Sequence, residues 1–438
     1  MNTNCAIRTA AATLVAVASL FSIVGCGSGP AKVAANPSTK YAFWPLAPDE
    51  PRIQFLGAFN SSEDIAPTKA SGLEQVVFGK EAVKPAYVNK PYGIASRDGK
   101  IYICDIRAKA LVVMDLAKKQ TRLIGTTGQS RLERPIAVAA APDGQLYVAD
   151  GIHAAIVVYD KNERFSRFIP IPKLKPASIA INGNRLYVVD MGRQTVLIVD
   201  ATTGKQIGEF GSVGDEDGQF RLPVGVSIDA TGNIYVSDMM RCKVQKFSAD
   251  GKYLGSVGEQ GDHAGGFARP KQLAVDEEGI IYVVDAAFQN VQMFNKEMKL
   301  LMHFGAAGEF PGAMNLPVGI AVTESGIKYF ADRVHPGFAV KRLVIVANQF
   351  GDSKISVYAL GERRADYSLA DLSAAAAKVE TGTGVPSAES LKFQNIGGVE
   401  PGAEAAPSTA PGAAPGSTSA GEKPVAPSPA PAPASPKP

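Results

Sequence analysis

Five aspartates recur in register through the middle of the chain. Asp105, Asp150, Asp190, Asp238 and Asp285 close the apolar runs 101–105, 146–150, 186–190, 234–238 and 281–285. Gathered around one point, five carboxylates would bind a cation or exchange protons. Uncompensated, they would also repel one another. One acid per repeat at a fixed place is what turn formation requires, because an Asp side chain accepts hydrogen bonds from the backbone of the turn that follows it. We read these five as structural turn acids, with Asn348 making the same turn in a sixth position. Other chemistry is poorly supported by spacing. Asp215-Glu216-Asp217-Gly218 lacks the alternating ligands of a calcium loop. His153, His263, His303 and His335 stand in no metal-ligating pattern, and no Cys-x-x-Cys or haem-attachment motif is present. No metal, no cofactor and no catalytic residue is expected.

The residues just after the acids are more informative. Arg107, Lys109, His153, Arg193, Met239, Met240, Arg241, Lys243, Phe288, Gln289 and Asn290 fall in or beside the loops that follow these runs. Arg, Met and aromatic residues are the types that interfaces favour, and loops on a rigid scaffold are where binding usually resides. They form a candidate binding face, provided the elements behind them bring the loops together.

Those elements are copies of one module, seen best at residues 221–258. Four short runs rich in Val, Ile, Tyr and Phe are separated by Asp/Gly turns, the pattern of an antiparallel meander. A single meander of this size buries too little to be stable alone. The prolines that open the copies, Pro91, Pro135, Pro176, Pro223, Pro270 and Pro317, recur at intervals of 41 to 47 residues, and the step from proline to acid scarcely changes. Four strands at that period specify a propeller blade. The second strands are apolar throughout rather than alternating, as strands covered on both faces must be. In the sixth copy the run 343–348 is the better second strand, 355–358 the third, and about 325–341 an inserted hairpin. A fourth strand is missing there, and residues 53–59 supply it. The expected fold is an all-β, six-bladed β-propeller of four-stranded antiparallel blades, closed by an N-terminal strand and trailed by a disordered Pro/Ala-rich C-terminal tail.

Outside the repeats the chain divides as 1–25 signal peptide, 26–51 tether, 52–361 propeller, 362–400 helical segment and linker, and 401–438 tail rich in Pro, Ala, Ser and Gly. Short helices are expected around 73–78 and over 369–380. The apolar run 10–24 falls short of the ~20 residues that a membrane-spanning helix needs. It leads into Ile23-Val24-Gly25-Cys26, which resembles a bacterial lipobox. That resemblance implies an acylated Cys26, and several acyl chains make a durable anchor. Gly27 stands where an inner-membrane retention Asp would be, so an outer-membrane lipoprotein facing the periplasm or the cell surface is expected. Cys104 and Cys242 lie half a ring apart, too far to pair, and should be free. With 45 basic and 42 acidic residues the chain carries +3, which gives no reason to expect nucleic acid.

The pattern Pro-x-Gly-Val/Ile-Ser/Ala-Ile/Val, then Gly-x-Ile-Tyr-Val-x-Asp, then Val-x-x-Phe, clearest over 223–247, resembles the NHL-repeat family, and the likeness runs over roughly 52–360. Tryptophan-aspartate repeat propellers match less well, since the only Trp, Trp44, lies outside the repeats. Together with the lipobox, the resemblance implies a bacterial NHL lipoprotein. Family members that bind RNA use a basic face, but an exported lipoprotein seldom meets RNA. Propeller lyases similar to this family place metal-binding histidines at the starts of inner strands. Here those places read Pro270-Lys271-Gln272 and Pro223-Val224-Gly225. The expectation is therefore a monomeric, membrane-anchored scaffold of the cell envelope, binding an envelope protein or peptide, rather than an enzyme. The alternative is a lyase- or lactonase-type enzyme with a metal or acid in the central funnel.

Overall fold

The turns dictate how each repeat folds. In the fourth blade the strands Pro223–Ile228, Ile234–Asp238, Lys243–Phe247 and Tyr253–Val257 pair antiparallel in chain order. The first turn is set by Asp229, whose carboxylate accepts the N–H groups of Thr231 and Asn233, both at 2.9 Å. Four further copies have the same four-stranded order, running from Pro91–Arg97, Pro135–Ala140, Pro176–Asn182 and Pro270–Val275. This computed structural model describes residues 41–65, 86–374 and 376. The signal peptide, Cys26, the helix expected around 73–78 and the tail from 401 lie outside the described residues.

The inner strands touch one another in succession, and the sixth, Pro317–Thr323, lies against the first, so the ring is closed. The glycine of the Pro-x-Gly pattern serves this contact. A Cβ on Gly225 would come within 2.9 Å of the Lys271 carbonyl oxygen on the next inner strand. The core lies between blades rather than within them. Tyr235, Cys242 and Val244 of the fourth blade pack with Leu273, Ile281, Val283 and Phe294 of the fifth, around Phe267 from the linker. Each such fully buried side chain contributes about 1.5–3 kcal/mol. Cys104 and Cys242 are buried and free.

The sixth blade comprises Pro317–Thr323, Phe338–Asn348, Ile355–Arg363 and, from the other end of the chain, Ile53–Phe59. Ile53 pairs with Leu360 and Phe59 with Ile355. Three details depart from the sequence reading. First, the tether assigned to 26–51 is too long, because Ala42–Trp44 adds a fifth strand beyond Ile53–Phe59. Tyr41, Ala42, Phe43 and Trp44 are buried, and water is a poor solvent for that many consecutive apolar groups. Second, 325–341 holds no hairpin. Ile327–Arg333 is a 3-10 helix that buries Phe330 against Phe59, and Phe338 already belongs to the second strand. Third, the last strand runs past 361 to Arg363. The helix Leu369–Ala374 stands where the expected helix begins, and residues 375 and 377–380 of that expectation lie outside the described residues.

Candidate functional site

All the turns after second strands share one face of the ring with the linkers that precede the inner strands, because every blade has the same strand order. The aspartates join these two sets of backbone. Asp238 accepts the N–H groups of Met240 and Arg241 in its turn, both at 3.1 Å. It also takes those of Arg221 and Leu222 in the linker, at 2.7 and 3.0 Å. Asp105, Asp150, Asp190 and Asp285 make the same two-sided set of bonds, and all five are wholly buried. The linker half of this bonding was not legible, since it joins groups 15 to 17 residues apart. In the sixth blade the Asn348 amide donates to the Ser353 carbonyl at 2.6 Å.

The candidate face residues sort by what they touch. The third residue after the acid reaches back to the linker: His153 Nε2 to the Arg131 carbonyl at 2.8 Å, Arg193 to Pro172 at 2.9 Å, Arg241 to Gln219 at 2.6 Å. Phe288 occupies the same place and is buried, as is Asn290. Lys109 and Gln289 hold the left-handed position that completes the turn, at φ 52° and 55°. Lys109 is also ion-paired with Glu133 at 2.8 Å. These side chains build the face more than they offer it. Arg107 and Met240 are exposed, and Lys243 is half-buried. Asp215 of the acidic run is held by Arg221, which lowers its pKa first through their hydrogen bond. Among the described residues no three His, Cys, Asp or Glu side chains gather as a metal set.

Sequence reasoning missed Lys271. It follows the fifth blade's opening proline and is half-buried. Its ammonium donates to the Met239 sulfur at 3.2 Å and, among the described residues, forms no ion pair. Burial first, and then Arg269 beside it, push its pKa down to about 8, against the pull of Asp285. The signal was present in the sequence: a lysine at a place where the other copies read Tyr92, Ile136, Ala177, Val224 and Val318.

A family model described as a 6-bladed beta-propeller (DUF5128) matches residues 223–318. Among solved structures the chain is similar to a streptogramin B lyase, at 15% identity over 62% of this chain and 94% of that one, with a TM-score of 0.45. It is also similar to virginiamycin B lyase from Staphylococcus aureus, at 13% identity over 62% and 95%, TM-score 0.44. A third is regucalcin from Agrobacterium tumefaciens, titled a calcium-binding protein, at 11% identity over 63% and 91%, TM-score 0.42. The strand order, the closed ring and the family model agree on the architecture: the chain is a six-bladed β-propeller.

Proposed function

We propose that this propeller is a binding scaffold of the bacterial cell envelope, an NHL-type lipoprotein that engages a protein or peptide partner through the face bearing the second-strand turns. One observation carries the reading. Five buried carboxylates fix that face in advance, so little ordering entropy remains to be lost on binding. Met240 and Arg107 stand open on it as an apolar and a cationic anchor. The anchor to the outer membrane is the lipid expected on Cys26, a reading that rests on the residues 23–26 alone.

The test is affinity capture from envelope extract by wild type and by Arg107→Ala/Met240→Ala/Lys243→Ala. A partner retained by wild type and lost by the triple variant is the expected result; identical capture by both removes this face. Arg193 and Arg241 are left intact because their loss would disturb the linkers. A lyase- or lactonase-type reading is separated by metal analysis of the purified protein, where a stoichiometric, tightly held ion would favour it.

A further inference from the structure

The residue before each opening proline repeats a second theme. It reads Lys90, Arg134, Lys175, Leu222, Arg269 and Leu316 in blades one to six. The backbone N–H of Lys90, Arg134, Lys175 and Arg269 is tied to its blade's buried aspartate. Six inner strands entering from one face in a closed ring put these residues on one circle around the channel mouth. Arg134, Lys175 and Arg269 are exposed and Lys90 half-buried, and among the described residues none of the four forms a side-chain ion pair. Lys271 follows two residues beyond Arg269, with its ammonium on the sulfur of Met239. Asp285, the nearby carboxylate, cannot serve it fully. Its oxygens already accept from Ala268, Arg269, Ala287 and Phe288.

Partial burial and the neighbouring Arg269 both disfavour the charge on the Lys271 ammonium. Nothing in the turns or the packing requires the cations before the prolines, since leucine fills the same place in two blades. A ligand that supplies negative charge removes the penalty. The four rim cations come from the first, second, third and fifth blades, so they lie on different sides of the channel. A ligand meeting them together must carry several separated anionic groups. Leu222, Leu316 and Met239 between them favour a chain with apolar atoms between its charges. We propose that the channel mouth receives an acidic peptide segment, its carboxylates held by Lys90, Arg134, Lys175, Arg269 and Lys271. This rests on the binding-scaffold reading and gives the partner its chemistry.

The probe is fluorescein-labelled hexaglutamate, followed by anisotropy at low salt with the whole purified chain. Arg134→Ala/Lys175→Ala/Arg269→Ala should weaken binding at least ~tenfold. Removing the same charge from outer turns, with Lys205→Ala/Lys252→Ala/Lys296→Ala, should change it less than about twofold. Lys271→Met should weaken it and Lys271→Arg restore it, with each variant's fold verified by circular dichroism. Equal losses in the two triple variants would mean diffuse charge attraction and overturn the proposal. So would displacement of the probe by citrate at equal concentration, or tighter binding of a thymidine hexanucleotide. The two readings fail separately. A captured partner that ignores the mouth variants leaves the scaffold standing without this site. Mouth-dependent hexaglutamate binding with no partner captured leaves the site without the scaffold.

Discussion

At the scale of single residues, charge placement separates two kinds of buried ion. The aspartate carboxylates gain three or four backbone N–H donors each, which repays much of the cost of leaving water. Lys271 has one soft sulfur contact and a cationic neighbour. Its pKa, pushed to about 8 from an ordinary 10.5, fixes the sign of a pH effect. Below about pH 8 the folded and unfolded chains are both protonated there, and the folded state bears the full penalty. Between 8 and 10.5 the unfolded chain holds the proton and the folded one does not, so this side chain's contribution to stability rises with pH. Lys271→Met removes the effect. In urea unfolding the variant should exceed wild type by on the order of 2 kcal/mol at pH 7, and the gap should close by pH 10. A gap that stays level or widens would show that the ammonium is better solvated than its surroundings imply.

At the scale of elements, the repeat was legible wherever a local rule governed it. Apolar second strands, Asx turns and proline starts are properties of contiguous residues, so the five regular blades could be read directly. So could the clasp, because the run 53–59 resembles a fourth strand and the sixth copy lacks one. The strand Ala42–Trp44 was not legible. Three residues followed by Pro45 make a weak strand signal, and only the neighbouring edge of Ile53–Phe59 gives them partners. The face suffered similarly. Arg193, Arg241 and His153 have the types that bind partners, yet distant linker carbonyls claim them. Trp44→Ala tests the added strand. Trp44 is buried with its ring 6.0 Å from that of Tyr358, so truncation should cost about 3–5 kcal/mol by calorimetry or urea unfolding. A tether residue would cost nothing measurable.

At the scale of the molecule, closure depends on a hairpin from the start of the described chain. Leu56 and Phe59 pack with Ile101 and Ile103 of the first blade, while Ala42, Trp44 and Ile53 pack with Tyr282, Met293 and Phe304 of the fifth. The hairpin thus seals both flanks of the sixth blade as well as its edge. Deleting residues 41–61 should expose the strand Ile355–Arg363 and uncover apolar side chains in three adjacent blades. The ring should then lose cooperativity, not only strength. We expect a midpoint lower by on the order of 10 °C and a broadened transition, since several kcal/mol are removed from a domain of this size. Because the lost contacts are all noncovalent, a synthetic peptide of residues 41–61 added in excess should raise the midpoint again in proportion to the logarithm of its concentration. A deletion variant that melts like wild type, or one that the peptide leaves unchanged, would mean that the remaining blades close without the clasp.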